Sequence, residues 1–261
     1  MVCRLDAPRC RPSAGSGCTR HGIDMPPPDS LVQIRKITKD YRSLRPLRIE
    51  SLDLQAGQTL ALCGFDSMTA EILVDLITAA IVPDSGEIRV FGQLTTAIAD
   101  RESWPQTLDR FGLLTERAVL VEQFTVEQNL AIPYSLSVED LSADLKTRVA
   151  ALADEIGFDR SDLRRQSGVL PPLGRLRLRL GRALALNPSV LLAEHPNATL
   201  APEEAARFGA DLQRIVRARG MSALVLTADH DFARVAADEV RVLHPATGTL
   251  KSSSVWRRWF S

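Results

Sequence analysis

Lysine is scarce in this chain. Of its 32 basic residues, the only lysines are Lys36, Lys39, Lys146 and Lys251, and the others are arginines. The 32 acidic residues balance the basic ones, so the formal net charge is zero. A chain without excess charge has no overall attraction to nucleic acid or to an anionic membrane, and nucleic acid is not an expected partner. No apolar run reaches the roughly 20 residues that span a bilayer, so a membrane role would require a partner.

Cysteine is scarce as well, and three of the four cysteines (Cys3, Cys10 and Cys18) precede residue 19. Their spacing contains no C-x-x-C pair, which argues against a zinc knuckle or a redox pair. Residues 1–30 are rich in Pro, Gly, Ser and Arg and are predicted to be a disordered extension. Met25 is a plausible alternative start to Met1. The absence of a disulfide framework favours the cytosol.

Alternating strand and helix patterns indicate an α/β fold. Continuous apolar runs at residues 59–65, 188–194 and 222–229 are typical of buried parallel strands, and Cys63 is predicted to lie in the core. Apolar residues at helical spacing over 69–81 and 201–220 predict helices, so the sheet is expected to be covered on both faces. Further predictions are strands at 31–37 and 48–55, a mostly helical stretch over 125–159, and a last strand at 239–245.

One segment gives a conflicting signal. In RLRLRLGRALAL, residues 175–186, leucine and arginine alternate with a period of two. By pattern alone this alternation predicts a strand.

Several stretches, in order along the chain, resemble the ATP-binding subunit of ABC transporters at the spacing of that family. They are SLDLQAGQTLALCG, LITAAIVPDSGEIRVFG, QFTVEQNLAIP, GRALALNPSVLLAEHPNATL and LTADHDFARVAADEVRVL. The resemblance implies a P-loop NTPase-like fold with a mostly parallel sheet, an antiparallel β lobe and an inserted helical lobe. It implies an ATP-binding domain over 31–250, with the helical lobe at about 124–175 and a tail at 251–261. It also implies that 175–186 is helical.

The resemblance carries expectations for function too. In the family, two such domains enclose two ATP molecules with Mg²⁺, and closure drives a membrane permease. The implied partners are therefore a permease subunit, which docks near the family's Q-loop and the helical lobe, and a second ABC cassette in a homodimer or heterodimer. The implied location is cytoplasmic, at the inner face of the cell membrane.

The phosphate-binding loop of the family corresponds to eight residues that depart from its pattern. A P-loop needs G-x-x-x-x-G-K-[ST], so that amides, a lysine and a hydroxyl surround phosphate and magnesium. Here Ala70 replaces the lysine and Glu71 replaces the magnesium-binding hydroxyl. Acidic side chains would repel a polyphosphate, and they are expected instead to satisfy the amides at the start of the helix. The eight positions are Gly64, Phe65, Asp66, Ser67, Met68, Thr69, Ala70 and Glu71.

The other motifs of the family also carry substitutions in this sequence. Tyr41 corresponds to the aromatic residue that stacks on adenine, and the alternative is a turn tyrosine with a solvated hydroxyl. Glu116 replaces the Q-loop glutamine, and residues 170–174 replace the signature LSGGQ. Glu194 and His195 correspond to the Walker B aspartate, a Mg²⁺ ligand, and to the catalytic glutamate. His195 is a candidate general base or a structural, hydrogen-bonded histidine. Ala201 replaces the D-loop aspartate of the family, and Ala228 replaces its switch histidine.

Three functions remain open at this stage. The first is a transporter ATP-binding subunit with weak nucleotide binding and impaired or absent hydrolysis. The second is a pseudo-ATPase that is a structural or regulatory partner of an active cassette. The third, a soluble ABC-type ATPase outside transport, is the least favoured, because the chain has no second cassette and no excess of basic residues.

Overall fold

The computed structural model describes residues 30–252, except 43, 100, 101, 103 and 136. The predicted N-terminal extension up to residue 29, with Cys3, Cys10, Cys18 and Met25, lies outside the described residues, as do residues 253–261. None of the helices in the described part is long and apolar enough to cross a membrane.

The described residues form ten strands and eight α-helices, with two short 3-10 helices between the fifth and sixth α-helices. The strands are β1 (Ser30–Lys39), β2 (Leu47–Gln55), β3 (Thr59–Cys63), β4 (Ser85–Val90), β5 (Gln93–Leu94), β6 (Phe111–Leu114), β7 (Val190–Glu194), β8 (Ser222–Thr227), β9 (Glu239–His244) and β10 (Thr249–Ser252). The helices are α1 (Ser67–Ile77), α2 (Thr95–Ile98), α3 (Trp104–Leu108), α4 (Val126–Ala131), α5 (Ala143–Glu155), α6 (Pro172–Leu184), α7 (Pro202–Ala218) and α8 (His230–Ala236).

Two sheets organise the molecule. The larger has the order β10-β9-β3-β8-β7-β6, and all of its pairs are parallel except β10 with β9. Strands β3, β7 and β8 are buried along their whole length, as the continuous apolar runs predict. The smaller sheet, β2-β1-β4-β5, is antiparallel. This arrangement confirms the predicted α/β fold with a mostly parallel sheet and an antiparallel lobe.

Helix α6 settles the conflict over residues 175–186 in favour of a helix. Leu176, Leu178, Leu180 and Leu184 are buried in the larger of two hydrophobic clusters, while the arginines of the helix reach polar partners. The helix ends at Leu184, two residues before the expected end. At that end Arg219 donates to the Leu184 carbonyl at 2.9 Å and pairs with both carboxylate oxygens of Glu155 at 2.7 and 2.5 Å. The guanidinium thereby joins α5, α6 and the end of α7.

The stretch 125–159 is mostly helical, as predicted, because α4 and α5 make up more than half of it, although Pro133 follows the end of α4 and cannot continue that helix. The prediction of the last strand was wrong. Strand β9 is not the last strand, since β10 pairs with it antiparallel from Thr249 to Ser252. The first two residues of the expected tail, 251 and 252, therefore belong to the sheet.

Candidate functional site

The loop between β3 and α1 lies where the resemblance expects a phosphate-binding loop. Asp66 is the N-cap of α1, and its Oδ1 accepts a hydrogen bond from the Thr69 amide at 2.7 Å. Hydrogen bonds from the Thr69 side chain and backbone hold the pKa of the Asp66 carboxyl below its usual range. The expectation that acidic side chains satisfy the helix amides is thus confirmed for Asp66.

The remaining loop residues are divided between the core and the solvent. Phe65 and Ala70 are buried in the core, and Gly64, Ser67 and Met68 are exposed. Thr69 is buried, and its hydroxyl lies 3.1 Å from the Tyr41 hydroxyl. The tyrosine hydroxyl is therefore bound to the loop, and both interpretations of Tyr41, adenine stacking and a turn tyrosine, stay predictions.

We expect Asp66→Ala to lower the free energy of unfolding by about 1 kcal/mol at pH 7, because the helix loses its cap. The pKa of Asp66 is lowered in the folded state, so its contribution is present above the unfolded pKa of about 3.9 and is lost as the pH falls through the lower folded pKa. The difference between the variant and the wild type should therefore shrink below about pH 4. Urea unfolding at several pH values measures it, and Asp66→Asn, which keeps a capping oxygen, is the control. A difference independent of pH would contradict this prediction.

Glu194 ends β7 as a nearly buried carboxylate with two partners. Its Oε2 accepts from the Thr115 hydroxyl at 2.8 Å, and its Oε1 accepts from Arg117 Nη2 at 2.5 Å. A buried carboxylate without a cation would pay a large desolvation cost. Arg117 therefore supplies the charge that keeps Glu194 stable in this position.

Arg117 also reaches two carboxylates on α1. Its Nη1 lies 3.0 Å from Glu71 Oε1 and 3.2 Å from Asp75 Oδ1. Glu71 and Asp75 are four residues apart and so share one face of the helix. Burial alone would lower the pKa of the Arg117 guanidinium, but the hydrogen bond and charge of Glu194, followed by those of Asp75, raise it. We call Arg117, Glu71, Asp75 and Glu194 the Arg117 cluster.

The segment that carries Arg117, residues 115–119, is attached to α6. Arg179 donates to the Ala118 carbonyl at 3.3 Å, and Arg182 donates to the Val119 carbonyl at 2.6 Å. Burial lowers the pKa of Arg182. Glu116, the predicted Q-loop position, is exposed beside Arg117. The structure thus brings Glu71, Glu116 and Glu194 to one region, and it adds Arg117, Asp75 and Thr115, which the sequence reasoning missed.

His195 follows Glu194 in a backbone conformation with φ of 41°. Its amide donates to the Leu226 carbonyl at 2.8 Å, whereas its Nε2 is buried and has no hydrogen-bond partner among the described residues. The prediction that His195 is a structural, hydrogen-bonded histidine was therefore wrong for its Nε2 atom. Besides the hydrogen bonds from Thr69, the charge of His195 is one of the influences that lower the pKa of the Asp66 carboxyl.

Residues 170–174 lead into α6 and form its first turn. Pro171 is the N-cap and Pro172 is the first helical residue, so neither offers an N–H to a ligand. Arg175 folds back over this end and donates to the carbonyls of Leu170 at 3.2 Å and Gly168 at 2.6 Å. Ala201 caps α7 without a side-chain hydrogen bond, and Ala228 is exposed after β8.

Magnesium fits this site poorly. The two positions that correspond to its protein ligands, Glu71 and Glu194, both bind the Arg117 guanidinium. Within residues 30–252, as far as they are described, no three His, Cys, Asp or Glu side chains are grouped so that they could hold a metal ion. A polyphosphate fits poorly too, because no lysine lies in the loop and the cation that is present is already shared by three carboxylates.

Comparison with known sequences gives a consistent set of relatives. The methionine import ATP-binding protein MetN of Leifsonia xyli subsp. xyli is 31% identical over 231 residues, which are 84% of this chain and 66% of the relative. MetN 2 of Pseudomonas aeruginosa is 28% identical over 220 residues, or 82% of this chain and 64% of the relative. The chain thus spans less than two thirds of the length of these relatives. No family model matches the chain.

Solved structures agree on the fold. CbiO1 from Clostridium perfringens, part of the ABC transporter complex CbiONQ, superposes with a TM-score of 0.72 and 17% identity over 85% of this chain and 87% of its own. The dimeric ATP-binding cassette MJ0796, bound to ADP and Pi, superposes with a TM-score of 0.67 and 18% identity over 84% of this chain and 96% of its own. The homologues of this chain are therefore ABC transporter ATP-binding proteins, and its fold is the P-loop NTPase-like fold of ABC ATPase cassettes.

Proposed function

We propose that the chain is an ATP-binding-type subunit of an ABC importer, in which nucleotide binds weakly and ATP hydrolysis is impaired or absent. The import role is supported by relatives that are named as import subunits. The partners proposed on the same basis are a membrane permease subunit and a second cassette, either identical or different. In that assembly the chain lies at the cytoplasmic face of the membrane.

The proposal of weak nucleotide binding rests on one observation: the side chains of the loop bind other groups of the protein. Asp66 caps α1, Thr69 binds Tyr41, and Glu71 pairs with Arg117. Phosphoryl transfer depends on positioning and on neutralisation of phosphate charge, which a lysine, magnesium and a base provide. None of these loop side chains supplies such a cation. We therefore infer that, in a pair with a different cassette, ATP-driven closure depends on that other cassette.

A second candidate function follows from the same observation. If no nucleotide binds, the chain is a pseudo-ATPase that holds or regulates an active cassette beside the permease. The two functions differ in whether MgATP binds to this chain within the assembled complex.

The test is purification of the chain together with the permease and with any intact cassette from the same gene neighbourhood. We expect a stable complex with the permease and no detectable ATP hydrolysis by the isolated chain, because the phosphate site lacks its cation. ATP turnover that is abolished by His195→Ala or Glu194→Ala would contradict the prediction and make those residues catalytic. Failure of the chain to copurify with any permease would contradict the transport role.

Calorimetry with MgATP separates the two candidate functions. Weak binding that depends on the Tyr41 ring supports the first, and absence of binding supports the second. Base–aromatic stacking contributes about 1–3 kcal/mol, so Tyr41→Ala should weaken any binding by about fivefold or more. Tyr41→Phe is the matched control, since it keeps the ring and removes only the hydroxyl bound to Thr69. Micromolar binding that is insensitive to Tyr41→Ala would contradict both candidates.

A further inference from the structure

The Arg117 cluster joins three parts of the fold through one guanidinium. Glu71 and Asp75 come from α1, Glu194 from the end of β7, and Arg117 from the segment after β6. In the family that this chain resembles, the positions of Glu71 and Glu194 are joined through a magnesium ion. Here a side-chain cation joins them directly.

The chain segment that carries Arg117 is itself held in place by hydrogen bonds. The carbonyls of Ala118 and Val119, the two residues after Arg117, accept hydrogen bonds from Arg179 and Arg182 of α6. The Thr115 hydroxyl, two residues before Arg117, donates to Glu194 and accepts from the Arg117 amide. The chain is thus held on both sides of Arg117, and this keeps the guanidinium close to the three carboxylates.

We propose that Arg117 is a resident cation that takes the place of magnesium in this cassette. The proposal rests on the residue correspondence used for the proposed function, and it deepens that function by naming what replaces the metal. If Arg117 replaces magnesium, then its guanidinium joins α1 to the end of β7 at all times, also in the absence of nucleotide. A divalent ion or a MgATP complex can enter only by displacing a guanidinium that three carboxylates share.

The experiment follows thermal unfolding of the isolated chain with and without MnCl₂. The wild type should not respond to Mn²⁺. Arg117→Gln should lower Tm by about 3–6 °C, because Glu194 loses its cation at a buried position. The same variant should regain part of this loss in MnCl₂, since a divalent ion can then bind the freed carboxylates. Arg165→Gln, which removes a surface pair with Asp162, is the matched control and should show neither effect.

Two further variants keep the inference testable if Arg117→Gln does not fold. Arg117→Lys retains a cation and should stay insensitive to Mn²⁺. Combining Arg117→Gln with Glu194→Gln removes the buried carboxylate together with its cation, so it should be more stable than Arg117→Gln alone and should not respond to Mn²⁺. Equal stabilisation of the wild type and Arg117→Gln by Mn²⁺, or no response of Arg117→Gln, would overturn the proposal. Because no permease is present, this result is independent of whether the chain belongs to a transporter.

Discussion

Replacing Gly86 with alanine is expected to lower the free energy of unfolding by about 3–5 kcal/mol, which corresponds to a fall in Tm of roughly 10 °C. Gly86 lies in β4 with φ of 82°, and a Cβ atom there would come 2.3 Å from the Lys36 carbonyl oxygen and 2.6 Å from that of Arg35. Both contacts are with backbone, which cannot rotate away. Lys36 itself has φ of 48°, and the β1–β4 register shifts between Arg35 and Thr38. The two strands therefore fit together only around a residue without a side chain.

Gly57→Ala is the matched control for that substitution. Gly57 has a similar φ of 72°, but no atom lies within 4 Å of the Cβ that alanine would add. It should therefore show only the cost of the left-handed conformation, about 1–2 kcal/mol. Differential scanning calorimetry of both variants separates the two effects. If Gly86→Ala unfolds at the same temperature as Gly57→Ala, the close approach of β1 and β4 is not as described.

Replacing Asn129 with leucine is expected to cost about 3–5 kcal/mol, since it removes several buried hydrogen bonds and leaves the Val121 amide without a partner. Asn129 lies on α4, and its completely buried side chain binds the turn that leads into this helix. Its Oδ1 accepts from the Val121 amide at 3.0 Å, and its Nδ2 lies 3.0 Å from the Val121 carbonyl and 3.2 Å from the Ser167 hydroxyl. One amide thus joins the segment after Arg117 to the residues before α6.

Gln123→Leu provides the comparison for this variant, because Gln123 is an exposed residue of the turn that Asn129 binds. Its effect on unfolding should stay within about 0.5 kcal/mol. Hydrogen exchange gives a second measurement: the Val121 amide should exchange faster in Asn129→Leu, while amides of β3 and β8 should change only through the loss of global stability. Unchanged protection of the Val121 amide would show that Asn129 does not hold the turn.

The parallel core could be predicted from the sequence because its strands are buried on both faces. A strand in that position is apolar at most of its residues, and the runs that became β3, β7 and β8 have this composition and the length of strands. Strand β10 has no such signature. Thr249–Ser252 is half-exposed or exposed and mostly polar, and it becomes a strand by pairing with the edge of β9.

Helix α6 shows why local periodicity can mislead. Arg175, Arg179 and Arg182 recur at helical spacing within the alternating run, and each binds backbone carbonyls of preceding loops. Arg177 points to a different place, where it binds the Gly157 carbonyl and Asp211. A helix can thus accommodate alternating arginines when acceptors surround it on more than one side. That information lies in the tertiary structure and not in the run itself.

Arg117 was missed because its partners are distant in sequence. The pairs with Glu71 and Glu194 join residues 46 and 77 positions apart. A usable signal was nevertheless present. The sequence predicted two carboxylates at the site without a lysine, and a buried carboxylate requires a cation. Arg117 is adjacent to Glu116, which was itself placed at the site, so it was the nearest basic residue available.

The position of β3 in the middle of the larger sheet has a consequence for the order of folding during synthesis. Its two neighbours are β8 and β9, both from the C-terminal part of the described chain. Strands β1, β2 and β4 can pair as soon as residue 90 has left the ribosome, whereas β3 has no partner on either side until residues 222–244 have emerged. The antiparallel lobe is thus able to form early, and the loop that carries Asp66 and Glu71 acquires its support last. Until then β3 presents two unpaired apolar edges, which makes nascent chains truncated before β8 prone to aggregation.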